Sequence, residues 1–324
     1  MAARTPRLPF AHRLSLPLIA APMLRVSGIE LVSAACAGGV IGSFPTPNCR
    51  SVDELDAWLS RLAQEARDAA EAGRPSAPWC PNLIMRRDPA QLRQDIDCLL
   101  RHRTEVVITS VGSPAAVVPQ LRDGGCLVLA DVASLHHAER AIEAGVDGLV
   151  LLTAGAGGQT GWTNPFAFVR AVRSFFDGPV VLAGGLSDGV SLYAAIALGC
   201  DLGYMGTRFI ATRESMASDA YKQMLVASRL DDVHLTKAFT GLQANFLRPS
   251  IVASGLDPAT LPENLTPAEA RERYGGGVGP HEGPRRWADV WSAGHSVSGV
   301  DDVPTTAALI ERIGREYAAA QRSL

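Results

Sequence analysis

Eight short runs that are apolar throughout recur along the chain: "SLPLIAAPM", "VIGSF", "WCPNLIM", "EVVITSV", "CLVLADV", "DGLVLLTAG", "PVVLAGG" and "LGYMGT". A strand with one wet face alternates apolar and polar residues. Runs that do not alternate belong to strands buried on both faces, as in a parallel sheet covered by helices. The intervening segments, among them Val52 to Gly73, Pro89 to His102, Leu135 to Gly145 and Phe166 to Phe176, carry helical apolar spacing and often finish at or near glycine. Eight such units within about 200 residues predict an α/β fold, a (β/α)8 TIM barrel, with a doubly wound open sheet as the alternative.

After the eighth run the pattern breaks. The barrel is expected over residues 1–214. A smaller helical and loop insertion would follow over 215–290, ending in the Pro/Gly-rich "YGGGVGPHEGPRR", read as a loop or lid. Residues 291–324 would form a C-terminal loop and a helix packing on the barrel. The net charge of −3 gives no sign of a nucleic-acid partner. Leu14 to Leu24 is short and broken by Pro17 and Pro22, so it reads as a first core strand instead of a signal peptide or membrane span. The six cysteines form no C-x-x-C pair and read as buried reduced thiols, which fits a cytoplasmic protein. His12 and His102 read as solvent-facing, and no histidine spacing suggests a metal.

In such a barrel, ligands gather where the strands end, with phosphate between the last two loops. Here the seventh run leads into "AGGLSDG", where Gly184 and Gly185 offer backbone N–H groups and the next helix its positive end. The eighth leads into "MGTRF", where Gly206 and Thr207 add an N–H and a hydroxyl. Together these make a phosphate cup, although glycine pairs also serve tight turns. A nucleotide held there would lie toward "AAPM" and "PNLIM". The Gly-rich "TAGAGGQTGW" brings a backbone close to any ligand, and its side chain of reach is Gln159, an amide that takes up no proton near neutral pH.

"AAPM", "PNL", the Gly-rich loop, "AGGLSDG", "MGTRFIAT" and "WSAGHSVSG", in this order, resemble the nitronate monooxygenase family, formerly 2-nitropropane dioxygenases: FMN-dependent barrels that include enoyl and quinone reductases. The resemblance implies FMN with its phosphate at Gly184, Gly185, Gly206 and Thr207. It places Ala21, Pro22, Met23 and Gly158 near the ring and Asn82 on its polar edge. Core packing for Met23 and turn capping for Asn82 are the competing readings.

Two positions depart from the family pattern. Relatives typically carry a histidine base where this chain has Gln159, so general-base work would lose its roughly 10²–10⁴-fold contribution. An alkyl nitronate, already an anion at carbon, needs no such base. On the fifth run, Asp131 stands where relatives often have Lys or Gln, and a carboxylate beside the ring's pyrimidine side would make the flavin harder to reduce. Asp131 reads equally as a helix-entry residue serving backbone N–H groups near Ser134. His295, where relatives often have Gln, is the candidate for supplying the missing acid or base, with a surface-loop histidine as the other reading. The expected function is oxidation of alkyl nitronates by O2. The alternatives are an NAD(P)H-dependent reductase of a quinone or enoyl thioester and a non-catalytic flavin-binding protein. A homodimer is left open as the assembly.

Overall fold

The computed structural model describes residues 8–275 and 283–323. Eight parallel strands close into a barrel in the order β1 (Leu18–Ala20), β2 (Ile41–Pro45), β3 (Trp79–Ile84), β4 (Val106–Ser110), β5 (Leu127–Val132), β6 (Gly148–Leu152), β8 (Val180–Ala183) and β9 (Leu202–Met205). These are the eight apolar runs. Helices α1 (Ile29–Ala37), α2 (Val52–Glu71), α3 (Pro89–Arg101), α4 (Val118–Asp123), α5 (Leu135–Glu143), α6 (Pro165–Arg173) and α7 (Gly189–Leu198) cover its outside. Local chemistry starts these helices where the sequence suggests. Ser51 caps α2 by accepting from Glu54 N–H, Asn164 caps α6 ahead of Pro165, and Leu55, Leu59 and Leu62 form the buried stripe of α2.

Side chains at alternate strand positions fill the lumen. Ile19, Ile41, Cys80, Ile108, Leu129, Val150, Val181 and Leu202 form its apolar middle, and Leu8 and Phe10 join the same cluster. One layer nearer the strands' carboxyl ends the lumen turns polar, with Asn82, Ser110, Asp131 and Tyr204. This change of chemistry is where a site begins.

The short α8 (Thr207–Ile210) follows the last barrel strand, and the insertion contains helices α9 (Asp219–Ala227), α10 (Arg248–Ala253) and α11 (Pro267–Tyr274). It also contains two strands that the sequence reading did not separate, β10 (Val233–Thr236) and β11 (Ala244–Leu247). They form an antiparallel sheet with a third, β7 (Gly158–Gln159), which belongs to the Gly-rich loop: Ala244 pairs with Gln159 and Asn245 with Gly158. Of the tract read as a lid, residues 276–282 lie outside the described residues. All six cysteines are unpaired and buried, and burial pushes the thiol of Cys36 up to about 12. His102 is a correction. It is largely buried and its Nε2 lies 2.9 Å from Asp56 Oδ1, because α3 packs on α2. Asp56, Cys98 and His102 come within 4.8 Å of one another, but Arg101 donates to the same carboxylate oxygen and supplies the positive charge there. Among the described residues no helix is long and apolar enough to cross a membrane.

The C-terminal helix α12 (Thr306–Ser323) packs on α7 and α1. It comes so close that a Cβ on Gly189 would lie 2.1 Å from Tyr317 N. Charge ties the same region together. Arg208, 2% exposed, donates to Asp301 and Asp302, and Arg312 donates to the same pair. These guanidiniums hold the Asp302 carboxyl far below its ordinary range. Its folded value is lower than its unfolded one, so its stabilisation is complete above the unfolded carboxylate value of about 3.9 and fades as pH falls below it. Thermal melts from pH 7 to pH 2 are expected to show a smaller acid-induced loss of Tm in Asp302→Asn than in the wild type. Parallel curves would show that the ion pairs carry no acid sensitivity.

Candidate active site

Two adjoining cavities open at the carboxyl ends of the barrel strands, the second roomier than the first. They share Pro22, Met23, Leu152, Gly157, Tyr204, Ile210 and Ser292. The first is lined by main chain: Ala21, Gly184, Gly185, Gly206 and Thr207, joined by Ser292, Ala293 and Ser296 from the C-terminal segment. Gly184 and Gly185 have φ of +121° and +79°, conformations that other residues adopt only with strain. Thr207 Oγ1 accepts from Gly294 N–H at 2.9 Å, which leaves its proton to donate elsewhere. Gly206 and Thr207 begin the short α8, so their N–H groups are among those a helix start leaves without intrahelical partners.

The expected contribution of the following helix needs correcting. The start of α7 is already answered by two carboxylates: Asp188 accepts from Ser191 N–H at 2.7 Å and Glu316 of α12 accepts from Gly189 N–H at 2.9 Å. The positive end of α7 is therefore engaged within the fold, and an anion in this cavity would rely on the loop amides and hydroxyls instead.

The second cavity has a polar floor and an aromatic wall. Asn82, 4% exposed, accepts from Ser110 Oγ at 3.0 Å through Oδ1, and among the described residues its Nδ2 has no partner. This buried amide therefore answers to strand neighbours and to the cavity, and it does not cap a turn. Met23 lines both cavities and also packs against the core. Its loop is fixed by Asn48, whose amide donates to Met23 O and Ser27 O at 3.0 and 2.8 Å and accepts from Arg25 N–H at 2.8 Å. The wall consists of Tyr221 stacked on Trp291 (centroids 5.0 Å apart) and Trp287 stacked on Phe246 (5.0 Å). Sequence reasoning missed Asn48, Ser110, Tyr204 and all of this wall. The spacing of Trp287 and Trp291, four apart beside an expected site loop, was the signal available for the wall.

Asp131 is not a helix-entry residue. Ser134 itself caps α5 by accepting from His137 N–H at 3.1 Å, and Asp131 projects from β5 into the second cavity. Its Oδ1 is shielded from solvent and has no hydrogen-bond partner. Burial alone pushes this carboxyl up to about 7. Burial also raises the Tyr204 phenol well above its ordinary value and that of Tyr221 to about 12, so both are neutral near pH 7. Among the described residues no lysine, arginine or histidine lines either cavity.

Gln159 and Gly158 line the second cavity, with the Gln159 backbone paired to Ala244. The Gly-rich loop is glycine-rich partly for a packing reason. The "SAGHS" segment presses against it, and a Cβ on Gly157 would lie 2.8 Å from Gly294 N, one on Gly294 2.4 Å from Gly155 O. His295 belongs to that contact: its N–H donates to Gly155 O at 2.8 Å, but its ring is exposed and lines neither cavity. The ring instead lies over Gly155, where a Cβ would come within 2.6 Å of its Nδ1, so His295 stands behind the loop and not on the cavity lining where an acid or base was expected.

Comparison with known proteins gives four findings. The family model for nitronate monooxygenase matches residues 7–315. A nitronate monooxygenase of Paraburkholderia phytofirmans is 29% identical over 293 residues, 77% of this chain and 78% of that protein. The (3aS,4S,5R,7aS)-5-hydroxy-7a-methyl-1-oxo-octahydro-1H-indene-4-carboxyl-CoA dehydrogenase of Mycobacterium tuberculosis is 27% identical over 242 residues, 73% of this chain but only 64% of that protein. Among solved structures, FabK from Thermotoga maritima superposes with a TM-score of 0.81 at 25% identity, covering 99% of this chain and 98% of that one.

Proposed function

The chain belongs to the nitronate monooxygenase family of oxidoreductases, and from that premise we propose that it binds FMN and oxidises alkyl nitronates with O2. Residues 1–214 would be the cofactor-binding barrel and residues 215–290 its cap, with 291–324 completing the rim. The single observation carrying the substrate assignment is the amide at Gln159 on the lining of the second cavity, where a base would stand, with no histidine on the lining of either cavity among the described residues and Asp131 the one carboxyl there. A nitronate arrives already deprotonated at carbon, so this site does not need a side chain to take that proton.

The main-chain cup fits a phosphate, and a Cβ on Gly184 or Gly185 would impose strain where the backbone must approach it. In this reading Gly184, Gly185, Gly206 and Thr207 hold the phosphate, Ala21, Pro22, Met23 and Gly158 pack beside the ring, and Asn82 Nδ2 and Asp131 meet its polar atoms. FMN bound there would supply the ring that accepts electrons from the substrate. The Gln159 amide donates to a nitro oxygen and orients the substrate, while Trp287, Trp291 and Tyr221 keep water from the reacting carbon.

Anaerobic mixing of holo-protein with propyl-2-nitronate, NADH or NADPH tests this. The nitronate is expected to bleach the flavin band and the pyridine nucleotides are not. Bleaching by NADH or NADPH alone would favour a reductase, a second reading supported by the breadth and aromatic wall of the second cavity, which suit a ring-bearing thioester. A flavin bleached by none of them would overturn both readings.

A further inference from the structure

Asp131 is the one carboxylate on the cavity lining among the described residues, and its surroundings are unusual for one. It stands in the polar layer of the lumen, beside β6 through the pairing of Asp131 with Val150. The titratable groups that feel its charge are Tyr204 from β9 and Cys80 from β3, both neutral near pH 7 because burial raises them. No cation offsets it, and Oδ1 has no donor. A carboxylate stranded like this is costly in ionised form, whereas the neutral acid has an O–H to give. In the absence of a protein acceptor, the O–H has only the cavity's occupant to serve.

We propose that Asp131, as a neutral acid, donates a hydrogen bond to an acceptor atom of the bound flavin ring, so that the site takes up its cofactor together with a proton. The inference rests on the flavin reading above. Its consequence is a cofactor affinity that declines as pH rises. Once the free carboxyl ionises near pH 7, binding must first restore its proton, and linkage of one proton raises Kd by at most about tenfold per pH unit. Asn cannot ionise and keeps donor atoms at the same place, so Asp131→Asn removes the dependence without emptying the position.

The test is titration of flavin-free protein with FMN at pH 7.0 to 9.0, where the phosphate is already largely a dianion, read by quenching of flavin fluorescence. Wild-type Kd is expected to rise by roughly one to two orders of magnitude across this range, and that of Asp131→Asn to stay within about threefold. Calorimetry of the wild type at pH 8 in two buffers of different ionisation enthalpy should count close to one proton taken up per FMN, a result independent of whether the variant folds. Equal slopes in the two proteins, or no proton uptake, would overturn this inference while leaving the flavin reading intact. Failure of the folded wild type to bind FMN at any of these pH values would overturn both.

Discussion

Replacing Gln159 with histidine is expected to raise turnover of neutral nitroalkanes by about 10²-fold or more, the scale of a positioned general base, with preformed nitronates changed only slightly. The reasoning is local. Gln159 lines the second cavity while its backbone is held by pairing with Ala244, so a new imidazole starts from a fixed main chain. The added function is proton acceptance, and that matters only for a substrate still carrying its C–H proton. Steady-state rates with nitroethane and with its nitronate, compared in both proteins, separate the two effects. If the neutral nitroalkane gains nothing, position 159 is not where the proton is taken.

A valine at Gly184 should abolish useful FMN binding, raising Kd by about 10²-fold or more, and should lower stability by about 2–5 kcal/mol. Its φ of +121° is unsuited to a β-branched residue, and the new Cβ would sit 2.5 Å from Thr153 Oγ1. That hydroxyl is engaged with Ala183 O at 2.8 Å, so relief would come by shifting the strand end that shapes the cup. Gly185→Ala is the milder companion. No atom lies within 4 Å of its Cβ position, so its loss of affinity should exceed its loss of stability. Fluorescence titration with FMN and thermal melts together read both. A Gly184→Val protein that binds FMN normally would remove the phosphate from this loop.

The barrel was readable because each of its strands is buried on both faces, a condition that writes itself into contiguous apolar residues such as Val106 to Ile108. The glycine-lined rim of the first cavity was readable because the need for positive φ selects glycine at Gly184 and Gly185. What stayed hidden depends on partners distant in sequence. Gly158 and Gln159 become a strand only because Ala244 and Asn245 lie alongside, and no two-residue stretch with a glycine announces that. Asp131 was ambiguous because a carboxylate near the end of a strand is commonly a helix cap, and only Ser134's own capping bond frees it for the cavity. The place of His295 was not legible because proximity along the chain to a site loop does not say whether a ring reaches the cavity lining or stands behind it.

The pairing of the Gln159 loop with residues more than eighty positions downstream carries a consequence for how such enzymes diversify. Asn245 Nδ2 donates to Ala156 O at 2.8 Å and Gln243 O accepts from Thr160 N–H at 3.2 Å, so the loop takes its set from the cap as well as from the stave it leaves, where Thr160 Oγ1 donates to Thr153 O at 2.8 Å. Transplanting "TAGAGGQTGW" alone into a cousin would carry the letters without their posture. Mutations accumulating in 233–247, by contrast, could retune reactant choice while the glycine-lined half of the rim goes on undisturbed.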